Sequence, residues 1–446
     1  MNEKNMQNNS ETTPPAPPLA TPALPAPTVW IGLDWADKKH YLAVLAPGAT
    51  SPTGHSLEQK PAALDQFFFK LHQEHPQTRL GVCIEQARGP VIYALMKYDF
   101  VLIYPINPRS LADFRRAFAV SGAKSDPRDG DLLCELGAKH HDRLRALQPE
   151  EPWTRQLRLE VEARRGFVDE RTALLNQLSA TLKSYYPLAL ELFGEDLGGA
   201  MALEFLRRWP NLGKLKTAPS AVLRAFFYKH NSRSEEKIEQ RLEAIKSAIP
   251  LTEDQAIVSA LELKMLCLAS QIATVEKSIG QFDARIQSTF QKHSEAWLFR
   301  ELPGAGAVLA PRLAALFGTQ RENWDQAFNF QCWTGVAPVT KQSGNKATVH
   351  FRRARPIFVH QSVIEFAKCS ILFCDWARLL YEDQLKKSKS RFAAIRMVAF
   401  KWLRILFRCW KDKVAYDEVK YLRSLKRRGI KLYESLYAHL PVEPAN

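Results

Sequence analysis

The sequence predicts an α/β domain at the N-terminus, then a coiled-coil helical region, then a mainly α C-terminal domain. Three patterns carry that prediction. Between residues 29 and 150, short apolar runs bounded by turn residues alternate with helical stretches. Between 151 and 296, apolar residues recur in sevens over two long segments. From 297 to 446 the apolar period is helical and basic residues accumulate on the polar side.

The first 28 residues are rich in Pro, Ala, Thr and Asn, so burial cannot offset the entropy of ordering them and a disordered tail is expected over 1–28. Folding should begin at Val29, where Val-Trp-Ile-Gly-Leu-Asp reads as a strand. An Ala-Asp-Lys-Lys turn leads into a second strand from His40 to Leu45, giving a hairpin. A third short strand follows around His55, then a helix from Ala62 to His72 and an apolar strand from Leu80 to Glu85. Next come a helix from Pro90, a strand from Val101 to Ile106, and helices from Ser110 and from Asp126. A hairpin, a third strand and then alternating helices and strands is the order of a ribonuclease H-like mixed sheet.

From Arg155 to Tyr186 one seam holds Val161, Val168, Leu175 and Leu182, with Leu178 and Tyr185 beside it. A later segment repeats the device, pairing Leu261, Leu268, Val275 and Phe282 with Met265, Ile272, Ile279 and Ile286. Both are coiled-coil patterns and fit either a helical hairpin or a subunit interface. Residues 187–234 read as a mostly helical insertion. After Leu302, Pro-Gly-Ala-Gly leads into an apolar helix from Val308 to Phe317, the pattern of a helix-hairpin-helix element. Its glycines would let backbone amides approach a phosphate, although an ordinary glycine-containing connection has the same letters.

With 46% hydrophobic residues the chain can bury two or three domain-sized cores. No apolar run approaches the ~20 residues of a membrane span, and no signal pattern opens the chain, so a cytoplasmic protein with no membrane partner is expected. The seven cysteines never form a CxxC pair, which argues against a disulfide framework or a zinc site and for reduced, buried thiols. The formal charge is +15 with a pI near 9.4. Residues 341–431 hold 23 Lys or Arg against 7 Asp or Glu, so the whole excess sits in the last quarter. Aromatics are interleaved there (Phe351, Phe358, Phe366, Trp376, Phe392, Trp402, Phe407, Trp410), which suits helices with an apolar core face and a phosphate-contacting face.

Asp34 ends the first predicted strand and Glu85 ends the later apolar strand, its neighbour in a ribonuclease H-like sheet. Asp126 and Asp129 are three residues apart at a helix start, so one turn puts both on the same face. Four converging carboxylates repel each other, and two magnesium ions ~4 Å apart would neutralise them and clamp the attacking and leaving oxygens of a phosphodiester. Each residue also has a purely local explanation. Asp126 before Pro127 looks like a helix N-cap, Asp129 suits the helix dipole, and Asp34 could open the hairpin turn with Asp37 as an equally placed competitor.

The motifs Ile-Gly-Leu-Asp-Trp-Ala-Asp-Lys-Lys around Asp34, the strand ending in Glu85, and Ala-Lys-Ser-Asp-Pro-Arg-Asp around Asp126 and Asp129 resemble the DEDD-type insertion-sequence transposases. These are the bridge-RNA-guided recombinases, with pilin-gene invertases as relatives. Leu302-Pro-Gly-Ala-Gly, Trp333-Thr-Gly-Val-Ala-Pro and Lys341-Gln-Ser-Gly-Asn-Lys extend the resemblance, which covers most of residues 29–410. It implies a RuvC-like catalytic domain over 29–150, a coiled-coil region over 151–296, and a C-terminal transposase domain over 297–446 that supplies a serine nucleophile, here Ser343. It further implies magnesium (or manganese) on Asp34, Glu85, Asp126 and Asp129, DNA substrates at element ends and target, and a structured non-coding RNA that pairs with both. A bacterial dimer or tetramer, in which one subunit's Ser343 meets another's carboxylates, completes what the family implies. Where the family usually has a second glycine after Ser-Gly, this chain has Asn345. Without the family, Ser343-Gly344 reads as a turn. A metal-dependent structure-specific nuclease of the Holliday-junction-resolvase kind, with water as nucleophile, and a non-catalytic nucleic-acid-binding assembly protein are the competing expectations.

Overall fold

A computed structural model of the chain describes residues 26–118, 125–344, 346–387 and 390–440. The chain forms two compact units that part between Pro149 and Glu150.

The first unit is built on five strands, β1 (Val29–Asp34), β2 (Lys39–Leu45), β3 (Thr53–Glu58), β4 (Leu80–Ile84) and β5 (Val101–Pro105). Their order is β3-β2-β1-β4-β5. β1 to β2 and β2 to β3 are antiparallel, whereas β1 to β4 and β4 to β5 are parallel. β4 is buried along its whole length and β1 nearly so because both faces of the sheet are covered, which is why they read as continuous apolar runs. β3 is the polar, exposed edge.

Alternation along β1 and β4 divides the core. Val29, Ile31, Leu33, Val82 and Ile84 pack with Leu64 and Phe68 of α1 (Pro61–Glu74) and with Val91, Ile92 and Leu95 of α2 (Pro90–Leu95). Trp30 and Cys83 face the other way, toward Leu111 of α3 (Pro108–Phe118) and Leu133 and Cys134 of α4 (Asp126–His140). Residues 1–25 of the expected tail lie outside the described residues. Ala26 to Thr28 do not belong to a tail: Thr28 N–H donates to Thr78 Oγ1 at 3.1 Å, and that hydroxyl donates to the Ala26 carbonyl at 3.2 Å.

In the second unit, α5 (Pro152–Tyr185) and the helix Gln255–Lys292 run antiparallel. The ladder of contacts fixes the direction: Thr154 with His293 at 2.9 Å, Arg285 with Glu160 at 2.7 Å, and Arg171 with Glu276 at 2.9 Å. The helical insertion between them continues beyond 234, through Glu235–Ser247. It packs on the distal halves of both long helices in one core that includes Leu178, Leu182, Tyr186, Met265 and Ile272. A separate core at the other end joins Leu157, Val161, Ile286 and Phe290 to the C-terminal helices Gly306–Phe317, Ile357–Phe373, Asp375–Lys386 and Arg391–Asp412. By length and composition the Gln255–Lys292 helix holds an 18-residue window apolar enough to cross a membrane, contrary to the expectation of no such run. Met265, Leu268, Ile272, Val275 and Ile279 of that helix are buried in the distal core.

Of the glycines in Pro-Gly-Ala-Gly, Gly304 has φ +80 and serves helix packing, since a Cβ there would stand 2.8 Å from the backbone of Cys369, whereas Gly306, with φ +54, has open space around it. The thiols are not uniformly buried, since Cys267 is exposed and Cys332, Cys369 and Cys409 are half-buried. All seven are free, and burial pushes Cys83 up to about 12 and Cys134 to about 11.

Candidate active site

Asp34 is the last residue of β1, and Glu85 follows the last residue of β4. Leu33 and Ile84 are register partners, so Asp34 and Glu85 each stand one step beyond a paired position, at the same edge of adjacent strands. Both are half-buried. Alternation places Asp34 with Trp30 and Gly32, and Glu85 with Cys83, on the side that α4 covers.

α4 reaches that edge because glycine lets it lie directly on β1. A Cβ on Gly32 would stand 1.9 Å from the Gly130 carbonyl oxygen and 2.4 Å from the Cys134 nitrogen. The Cys134 thiol donates to the Trp30 carbonyl at 3.3 Å, and a Cβ on Gly137 would strike the Trp30 ring at 2.4 Å. Later residues of the helix therefore match earlier residues of the strand, so α4 runs antiparallel to β1. Its N-terminal turn, with Asp126 and Asp129, points to the edge where β1 and β4 end.

The local capping explanation fails for Asp126. Ser125 holds the cap position without a side-chain hydrogen bond, and Asp126 lies exposed inside the first turn. Asp129 is 2% exposed. Its Oδ1 accepts from Arg115 Nε at 2.7 Å and from Arg115 Nη2 at 2.5 Å. Arg115 is the residue that sequence reasoning missed, because nothing in Phe-Arg-Arg marks which arginine turns inward. Asp37 is exposed in the turn between β1 and β2.

All four candidates are carboxylates, the oxygen donors that magnesium and manganese prefer, so their chemistry fits such an ion. Their geometry is a shared edge and not a closed ligand set: among the described residues no three His, Cys, Asp or Glu side chains are close enough to hold a metal. Arg115 occupies Oδ1 of Asp129.

Ser343 lies in the second unit, as the last residue of β6 (Val339–Ser343), which pairs with β7 (Lys346–His350). Ser343 is the register partner of Lys346, and Gly344 turns the chain with φ +55. The serine is thus the exposed tip of a two-stranded hairpin. Asn345 lies outside the described residues. Of the interleaved aromatics, Phe366, Trp376, Trp402, Phe407 and Trp410 are buried, while Phe351 and Phe392 remain exposed.

Comparison with known proteins covers both ends of this arrangement. A family model described as "Transposase" matches residues 31–187, which include all four carboxylates. A second, described as "Transposase IS116/IS110/IS902 family", matches residues 296–382 and includes Ser343. The chain is 24% identical over 404 residues to the "Mini-circle putative transposase for IS117" of Streptomyces coelicolor, covering 89% of this chain and 97% of the relative. It is 21% identical over 396 residues to the "Insertion element IS900 uncharacterized 42 kDa protein" of Mycobacterium paratuberculosis, covering 88% and 98%. With two family models in tandem and relatives aligned end to end, the chain is similar to the transposases of the IS116/IS110/IS902 family.

Proposed function

We propose that this transposase cuts and rejoins DNA with a carboxylate tetrad, Asp34, Glu85, Asp126 and Asp129, in a RuvC-like domain, and with Ser343 as nucleophile. The observation that carries the reading is the common sheet edge reached by the ends of β1 and β4 and the start of α4. A strand order with an antiparallel β1-β2-β3 and parallel β1-β4-β5 supports a ribonuclease H-like assignment. Magnesium or manganese bound at that edge would supply charge neutralisation at the phosphodiester. Ser343 Oγ would form a bond to phosphorus as the strand's own oxygen leaves, with the hydroxyl proton passing to a base and a proton reaching the departing oxygen. The resulting serine phosphodiester conserves the bond for rejoining. The family resemblance adds a bridge-type non-coding RNA that pairs with donor and target DNA, a dimer or tetramer whose subunits exchange Ser343 and carboxylates, and a cytoplasmic site of action.

A denaturing gel for a covalent adduct with labelled element-junction DNA, run with Mg²⁺ and the flanking transcript, tests this. Wild type should trap DNA, and Ser343→Ala and Asp126→Ala should not. Cleavage without adduct that survives in Ser343→Ala would replace the serine with water. Full activity in Asp34→Ala and Asp126→Ala would remove the tetrad.

A further inference from the structure

Among the described residues, three well-enclosed arginines are each paired with a carboxylate. Arg115 holds Asp129, Arg312 holds Glu365, and Arg321 holds Glu295. One group of arginines departs from that pattern. Phe351 follows β7 directly, and the guanidinium carbons of Arg355 and Arg396 each lie 4.3 Å from the centre of its ring. The two cations are therefore within twice that distance of one another. Arg352 and Arg353 flank the same ring in sequence.

Among the described residues, none of these four arginines makes an ion pair. Arg355 folds back to donate to the Arg352 and Arg353 carbonyls at 2.9 and 3.1 Å, which fixes its plane. Arg352 donates to the Ala337 carbonyl at 3.2 Å and to Cys332 Sγ. Among the described residues the Arg396 side chain makes no hydrogen bond, and its Nε, like that of Arg355, is shut off from solvent. Burial and the neighbouring Arg355 charge push the Arg396 guanidinium below its ordinary value. His360, whose Nδ1 lies 3.0 Å from the Thr334 carbonyl, feels both charges as well. Like charges gathered on one ring, with no anion paired to them among the described residues, are arranged for an anion from outside.

We propose that Arg352, Arg353, Arg355 and Arg396 form, with Phe351, a cradle for a nucleic-acid phosphodiester at the foot of the Ser343 hairpin. Planar guanidinium forks suit phosphate oxygens, and stacking on Phe351 holds them in place without a carboxylate. Phe392 lies four residues before Arg396 on the same helix face and is 75% exposed, offering its ring to an unpaired base beside the held phosphate. The hairpin sets the reach. From Lys346, opposite Ser343, to Phe351 is five strand steps, about 17 Å at ~3.3 Å each. That is on the order of five base steps along B-form DNA. The proposal rests on the transposase reading, which makes nucleic acid the ligand.

The test measures binding of the full-length protein to a labelled 30-residue probe of element-end sequence, as duplex DNA, single-stranded DNA and RNA, against salt. Arg396→Gln and the double variant Arg355→Gln/Arg396→Gln are compared with Arg396→Lys and wild type, with thermal melting alongside. For at least one probe the double variant should weaken binding about tenfold or more near 150 mM salt and reduce the slope of log K against log salt by about one per lost phosphate contact. Arg396→Lys should keep most of the slope, and melting should stay at the wild-type temperature. The probe that responds identifies the strand that is held. Unchanged slopes on all three probes overturn the cradle, whether or not melting shifts. Adduct formation is scored separately: a normal slope change with no adduct in wild type leaves the cradle and sinks the serine mechanism, and the reverse result does the opposite.

Discussion

Asp129 pairs with Arg115 in the structure and is proposed to serve the chemistry, and a double-mutant cycle with Arg115 separates the two roles. The pair is enclosed, with the Asp129 side chain 3% and the Arg115 side chain 14% exposed. Asp129→Asn leaves the Arg115 guanidinium buried without an anion, and Arg115→Met leaves the Asp129 carboxylate without a cation. Breaking such a pair from one side costs about 3–5 kcal/mol, chiefly through the charge left behind. The Coulomb attraction at an effective dielectric of ~20 and ~4 Å separation is also about 4 kcal/mol. Replacing both leaves no stranded charge, so the double variant should regain all but ~1 kcal/mol. Native-state hydrogen exchange of amides in α4, read by mass spectrometry, reports the local opening energy directly. The expected pattern is two strongly destabilised single variants and a near-normal double variant that is nonetheless inactive in strand cleavage. Single variants within ~0.5 kcal/mol of wild type would refute the enclosed-pair argument. An active double variant would refute the assignment of Asp129 to chemistry.

Gly32→Val should destabilise the first unit by about 3 kcal/mol, because its Cβ meets backbone of α4 that cannot move alone, whereas Gly166→Ala, with open space around it in α5, should stabilise by ~0.5–1 kcal/mol; urea unfolding compares the two. His293 gives a pH dependence. Glu295 N–H donates to its Nδ1 at 3.1 Å, so the ring proton sits on Nε2 and reaches Thr154 Oγ1 at 2.9 Å. Burial holds its folded pKa below the ordinary 6.5. The unfolded chain then takes up the proton first, so this clamp contributes fully above about pH 6.5 and is lost as pH falls toward the lower folded value. The urea midpoint should decline over that window, and His293→Gln should flatten the decline; equal slopes in both proteins would refute it.

The strands and both long helices were legible because burial imposes a period on the sequence: Val29, Ile31 and Leu33 on one face of β1, and Leu178, Leu182 and Tyr185 along α5. The edge holding Asp34 and Glu85 was legible for the same reason, since a strand's end can be read from where its apolar run stops. Pairings across space were not. Arg115 and Arg116 look alike as letters, yet one is locked to Asp129 and the other reaches Asp113 on the surface. A count of 23 basic residues in the last quarter could not separate the neutralised ones from the rest. Arg378, Lys387 and Arg408 each have an aspartate three or four residues away on their own helix, and Arg396 does not. The extent of the insertion was missed because Glu235–Ser247 is mostly polar and buries only Ile238 and Ile245 deeply.

The antiparallel pair formed by α5 and the Gln255–Lys292 helix carries a core at each end, and between the two cores the rings of Phe167 and Phe282 meet at 5.6 Å beside the ion pairs of Arg164 with Asp283 and Arg171 with Glu276. At 1.5 Å per residue the 34 residues of α5 span about 50 Å. Such a pair is a boom with a weight at its tip: at that length, a one-degree tilt at the root would displace the far core by roughly 1 Å.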